Sequence, residues 1–263
     1  LEAAVALAEL RFGDWRTAAV KPASRVVDAA TPARRVVIVA KPDAPQSELR
    51  VGHVGVPRSH PDYLAIVVMN ALLGGLFSSR INLNLRERHA FTYGASSGYD
   101  WRRGAGPFVI STAVKSDITH RAVEEILREI DGLRAAPPTR DELTLATDYL
   151  AGVFPIRYES TSSVAGAIAG AEVFGLPADW FATYRDRIQG ITPEQVHAAA
   201  RAHVDPSRLL VLAVGDPAVI AAPLGALGVA PVETQATTDD PSADATDNDA
   251  NGAGKHSGEA GQA

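Results

Sequence analysis

Arg86 and Tyr93 are the residues whose types and spacing best suit a reaction. They lie in the run Leu85-Arg86-Glu87-Arg88-His89-Ala90-Phe91-Thr92-Tyr93. The pattern predicts Arg86 near the end of a helix and Tyr93 near the start of the next strand. A connection that folds back between them brings both side chains to one cleft. A guanidinium fork and a phenol hydroxyl are hydrogen-bond donors suited to a carbonyl oxygen and to negative charge developing on it. The same residues have a plainer use, with Arg86 paired to a nearby acid and Tyr93 packed on the sheet, and spacing alone favours that use.

Other chemistries find less support. The seven histidines are His53, His60, His89, His120, His197, His203 and His256, and none belongs to H-E-x-x-H or H-x-x-E-H. His197 and His203 are separated by about 600° of helical rotation and diverge, so no metal ligand set is expected within the chain. No G-x-S-x-G elbow is present. Gly74-Gly75-Leu76-Phe77-Ser78-Ser79 could open a phosphate loop, but it has neither the Lys nor the spacing of one, and its glycines follow a helix instead of a strand. A glycine helix end followed by a serine cap, letting two helices pack closely, explains the run more simply.

The elements that must position Arg86 and Tyr93 follow from periodicity. Val36–Ala40 and Leu49–Val56 read as two neighbouring strands around the turn-rich Lys41–Pro45. Residues 61–73 form a mostly buried helix, and Phe77, Ile81 and Leu85 mark a second helix that Ser78 or Ser79 caps. Thr92–Tyr99 and Pro107–Lys115 read as a hairpin with Trp101, Arg102 and Arg103 at its tip. An amphipathic helix follows Asp117. Thr139 with Glu142, and Thr192 with Gln195, are capping boxes. Residues 161–174 and 179–188 are helical, and Leu209–Val214 is a buried closing strand. This order is not the regular alternation of a doubly wound sheet. It predicts an α+β class in which a largely antiparallel sheet is packed with helices.

Composition narrows the partners. The chain has 263 residues, 46% of them hydrophobic, enough for a sizeable core, and a net charge of −6 that offers no positive field for nucleic acid. Residues 231–263 carry seven acidic side chains against Lys255 alone, so the whole imbalance lies there and the rest of the chain is neutral by count. Lacking aromatic residues, Leu and Ile, that segment reads as a disordered acidic tail. The absence of cysteine excludes disulfides and thiol chemistry. No run approaches the roughly 20 apolar residues of a membrane span, so none is expected. The chain opens directly on the helical pattern Leu1, Val5, Leu7, Leu10, which suggests a fragment whose preceding part was removed or lies on another chain.

Three stretches carry a family resemblance: Val51–Tyr63, Leu72–Glu87 and Thr92-Tyr93-Gly94-Ala95. They resemble the C-terminal half of pitrilysin and insulinase-type zinc metallopeptidases, inverzincins, and most of all the short processing-peptidase-like branch. Arg11–Trp15 resembles the end of that family's N-terminal half and Lys41–Ser47 the start of its second half, so the resemblance spans about residues 1–225. It implies a domain plan of 1–15 as the end of the preceding N-terminal domain, 16–33 as linker, 34–226 as the peptidase C-terminal α+β domain and 227–263 as the acidic tail. In such enzymes two α+β halves close around a peptide. The first half holds Zn2+ through H-x-x-E-H and a distal Glu, and the second supplies an Arg and a Tyr seven residues apart, which here fall on Arg86 and Tyr93.

By that resemblance the chain is a zinc-free, substrate-clamping half. It binds a peptide substrate, holds no cofactor itself and is inactive alone. The Zn2+ is expected on a complementary half, in the same precursor or in a partner subunit of a hetero- or homodimer. The alternatives are a non-catalytic core or scaffold subunit and a peptide-binding subunit without turnover. The bacterial periplasm or another extracytoplasmic compartment is compatible. The local departures are Ala90 and Phe91, where the family more usually has Gly and Tyr.

Overall fold

The computed structural model describes residues 1–16 and 33–237. Nearly all of the expected linker and residues 238–263 of the expected tail lie outside the described residues. The chain divides into two compact units, 1–30 and 31–263. In the first, α1 (Glu2–Phe12) runs into an edge-to-face contact of the Phe12 and Trp15 rings at 5.0 Å.

The second unit is built on a six-stranded sheet. Its strands are β1 (Arg35–Ala40), β2 (Gln46–Val54), β3 (Ala95–Tyr99), β4 (Pro107–Lys115), β5 (Leu210–Gly215) and β6 (Val232–Gln235), in the spatial order β3-β4-β2-β5-β1-β6. The pairs β3–β4, β4–β2 and β2–β5 are antiparallel, while β5–β1 and β1–β6 are parallel. This is the expected α+β class with a mostly antiparallel sheet. Alternation decides which face is covered: Leu49, Val51, Phe108, Ile110, Val211 and Ala213 are buried, with more exposed residues between them.

Two expectations about strands change. β1 and β2 are not neighbours, because β5 lies between them, pairing Val36 with Val211 on one side and Val51 with Val211 on the other. The apolar run Leu209–Val214 satisfies two central ladders at once, which a short turn between β1 and β2 cannot supply. Ordered structure also continues past 226. β6 lies within the segment expected to be a tail, pairing Val36 with Val232 and Val39 with Gln235, and Arg35 forks onto Glu233 through Nε at 3.0 Å and Nη2 at 2.6 Å. Backbone ladder bonds do not require the large apolar residues this segment lacks.

The helices are α2 (Tyr63–Asn70), the short α3 (Arg80–Asn82), α4 (Thr119–Ala135), α5 (Arg140–Ile156), α6 (Thr161–Phe174), α7 (Trp180–Gln189), α8 (Pro193–His203) and α9 (Pro217–Ala226). Both expected capping boxes are present: Thr139 accepts from the Glu142 N–H and Thr192 from the Gln195 N–H. The helical run Tyr63–Arg88 is long and apolar enough, by length and composition, to cross a membrane, which the run-length expectation overlooked. Its residues Leu64, Ile66, Val68, Met69, Leu73, Ile81 and Leu85 are buried in the core that the other helices share, which accounts for its composition.

The glycine pair has a different purpose from helix–helix packing. α2 passes at Ala71–Gly75 into a wider π-helical turn, and a Cβ on Gly74 would fall 2.6 Å from Ser97 Oγ and 2.8 Å from the Ser97 backbone nitrogen. Gly74 therefore lets the helix end touch β3, where Asn70 and Ser97 exchange two hydrogen bonds of 3.1 and 2.8 Å.

Candidate functional site

Arg86 sits in a second π-helical turn, Leu83–Arg88, that follows α3 without a break. The i to i+5 bond is explicit, with the His89 N–H donating to the Asn84 carbonyl at 3.1 Å. Such turns bulge a helix outward and are frequent at functional sites. The chain then reverses sharply: the Ala90 N–H bonds to the Arg86 carbonyl at 3.1 Å and the Phe91 N–H to the Leu85 carbonyl at 2.8 Å. Ala90 takes φ 51°, in the left-handed region that favours glycine. Phe91 is buried and stacks on His89 at 4.8 Å, anchoring the reversal.

Tyr93 lies on a turn instead of in the strand, which begins at Ala95 and not at Thr92. The Thr92 hydroxyl bonds across the turn to Gly94 and is itself held by Thr112 at 3.1 Å. Local side-chain bonds of this kind compete with the ladder and hold Tyr93 off the sheet. Tyr93 is 97% exposed, which overturns the packing use. Arg86 is one-third exposed, with its guanidinium carbon 4.2 Å from the Phe77 ring centroid. Its Nη1 lies 3.1 Å from Glu87 but without the alignment of a hydrogen bond, and this nitrogen is buried with no hydrogen-bond partner among the described residues.

Two asparagines support this segment from beneath. The Asn82 amide donates to the Phe77 carbonyl and its oxygen accepts the Ala95 N–H at 3.1 Å, tying both flanks of the Arg86–Tyr93 segment together. Asn84 donates to Glu125 at 2.9 Å and to Glu129, both on α4. Both asparagines are buried and neither faces water. Arg80 forks onto Glu142 at 2.7 and 3.0 Å, joining α3 to the start of α5. The Arg80 bonds hold the Glu142 carboxyl below its ordinary range despite partial burial.

At the hairpin tip, Trp101 stacks on Tyr99 at 5.1 Å, while Arg102, paired with Asp100, and Arg103 are exposed. His53 packs on Phe108, donates from Nδ1 to the Val54 carbonyl at 2.8 Å and accepts the Asp205 N–H at Nε2. Burial pushes its pKa down, in keeping with this neutral form. Among the described residues one set of potential metal-ligand atoms converges, from His60, Asp62 and His203. No local sequence signal marks it, because His60 precedes α2 and His203 ends α8, and only packing joins them.

A family profile described as the peptidase M16 inactive domain matches residues 1–150. An uncharacterized zinc protease of Streptomyces coelicolor is 26% identical over 156 residues, 59% of this chain and 34% of the relative. A crystal structure of a peptidase M16 inactive domain from Pseudomonas fluorescens superposes with TM-score 0.67 and 26% identity, over 71% of this chain and 45% of that one. A protease from Helicobacter pylori is similar in fold, with TM-score 0.73 and 18% identity over 81% and 52% of the two chains. A chain of complex III2 from Candida albicans also shares the fold, with TM-score 0.59 and 13% identity over 70% and 46%. The chain thus spans about a third of the curated relative and about half of each of these structures.

Proposed function

The chain belongs to the peptidase M16 inactive-domain family, and we propose that it is the half of a metalloendopeptidase that lacks the catalytic zinc, gripping a peptide that a complementary half cuts. The zinc motif of that reading is not carried here, since the sequence has no H-x-x-E-H. What this chain's residues supply is hydrogen-bond donation to the scissile carbonyl.

The observation that carries the reading is the open donor capacity at Arg86 and Tyr93. The Arg86 Nη1 has an ionic contact with Glu87 at 3.1 Å but no aligned hydrogen bond, and the Tyr93 side chain stands in solvent on the same folded-back segment. A guanidinium nitrogen held only by an unaligned contact to a half-exposed carboxylate gains from an aligned acceptor, and a substrate carbonyl would supply one. As the carbonyl becomes tetrahedral its oxygen gains charge, so both bonds strengthen in the transition state beyond the ground state. In the same reading, residues 1–15 end the preceding domain and 16–33 link the halves.

With the zinc half supplied in trans or restored in cis, Tyr93→Phe should lower kcat by about 10²–10³ with little change in KM, the expected loss for one oxyanion donor. Steady-state cleavage of an unstructured fluorogenic peptide measures this, and unchanged turnover would refute the role. The fold shared with a complex III2 chain keeps a scaffold reading available. Saturable peptide binding without cleavage would instead identify a binding subunit.

A further inference from the structure

α2 and α8 pack against each other, so the turn that opens α2 meets the end of α8. His60 and Asp62 flank Pro61 in that turn, and His203 is the last residue of α8. Their side chains converge. His203 Nε2 is 2.7 Å from Asp62 Oδ2, and His60 Nδ1 is 4.0 Å from the same oxygen. The two imidazoles lie edge to face with centroids 4.7 Å apart, and one ligand atom from each of the three residues falls within 4.8 Å of the others. The His203 side chain is 10% exposed, His60 27% and Asp62 51%, so the group is backed by protein and open to solvent on one side.

We propose that His60, Asp62 and His203 bind a divalent transition metal of the zinc type. Two imidazoles and a carboxylate are ligands of suitable softness, and three protein ligands leave a fourth position for water. Bonds of roughly 2.0–2.2 Å in a tetrahedron place ligand atoms about 3.3 Å apart. The two Asp62 separations, 2.7 and 4.0 Å, bracket that value and reach it by a shift of under about 1 Å of the exposed Asp62 side chain. The ligand atoms as a set, within 4.8 Å of one another, close further by rotation of the partly exposed His60 ring. The His60 Nδ1 now accepts the Asp62 N–H at 3.1 Å, an exposed bond that water can replace when the lone pair turns to the ion.

The surroundings hold the ligands in place without the metal. The Tyr99 hydroxyl donates to the His203 carbonyl at 3.1 Å, fixing the backbone that bears one imidazole. Pro61 restricts the spacing between the other two ligands. An ion here would tie the start of α2 to the end of α8, and it requires no zinc-bearing half, so the site stands or falls separately from the peptidase reading.

The test uses the full chain, freed of metal with chelator and titrated with Zn2+ alone against a chromogenic zinc indicator, alongside thermal melts. One saturable site and a Zn2+-dependent rise in Tm are expected. His60→Ala should weaken that site by at least about tenfold and abolish the Tm rise. Asp62→Asn, at an exposed side chain, should act in the same direction, and His203→Ala likewise, with circular dichroism in the absence of metal showing that each variant is folded. His256→Ala, in the acidic segment, should leave binding unchanged. Zn2+ binding by His60→Ala equal to that of the wild type, or no saturable site and no Tm rise at micromolar Zn2+, would overturn the proposal.

Discussion

Ala90 bears the backbone strain of the candidate site. With φ at 51°, its Cβ crowds the following carbonyl, at a cost of about 1–2 kcal/mol that glycine would not incur, offset in part by glycine's greater freedom when unfolded. Ala90→Gly should therefore raise stability by about 0.5–1 kcal/mol in urea unfolding, and a loss of stability would show that the reversal at Ala90 is not strained. The geometry of this segment was partly legible in the sequence. The spacing of Arg86 and Tyr93 pointed to a shared segment, and the substitution of Ala for the more usual Gly marked position 90. The buried uses of Asn82 and Asn84 were not legible, since a helical asparagine reads as exposed until its carboxylate and backbone partners arrive from α4 and β3. His60 and His203 failed for the same reason, as their meeting depends on helix packing.

Between elements, the Arg80–Glu142 fork does two jobs. Glu142 also closes the capping box of α5 by accepting the Thr139 N–H at 2.8 Å, so one carboxylate both starts a helix and holds α3 against it. Its carboxyl is held below the ordinary value mainly by Arg80, so the ionised form is favoured by folding. Such a contribution is present above the unfolded pKa, about 4.3, and is lost as pH falls through the lower folded value. Glu142→Gln should thus cost about 1–2 kcal/mol at pH 7, and the gap from the wild type should narrow steadily as unfolding is repeated at pH 5, 4 and 3. A gap independent of pH would remove the charge from the explanation. Both capping boxes were readable because Thr and Glu or Gln three residues apart is a local signal. The two π-helical turns were not, because sequence periodicity shows where a helix interrupts itself and not how its hydrogen bonds rearrange.

For the molecule as a whole, the sheet joins the two ends of the peptidase-like unit. β1 is flanked by β5 and β6, both from the far end of the chain, so the expected domain end at 226 cuts through the architecture. A chain ending at 226 should melt at a lower temperature than one ending at 237, and equal Tm for the two would make β6 dispensable. The α+β class and strand identities followed from the alternation of apolar residues, but the placement of β5 between β1 and β2 could not, because pairing across such sequence separation leaves no local trace. That central position also constrains biosynthesis. β1 and β2 leave the ribosome long before the strand that separates them, and at roughly 5–20 residues per second the interval is on the order of 10–30 s. Throughout it both edges of β1 and the β5-facing edge of β2 are unsatisfied, so a chaperone at the ribosome would meet this protein in its most aggregation-prone form.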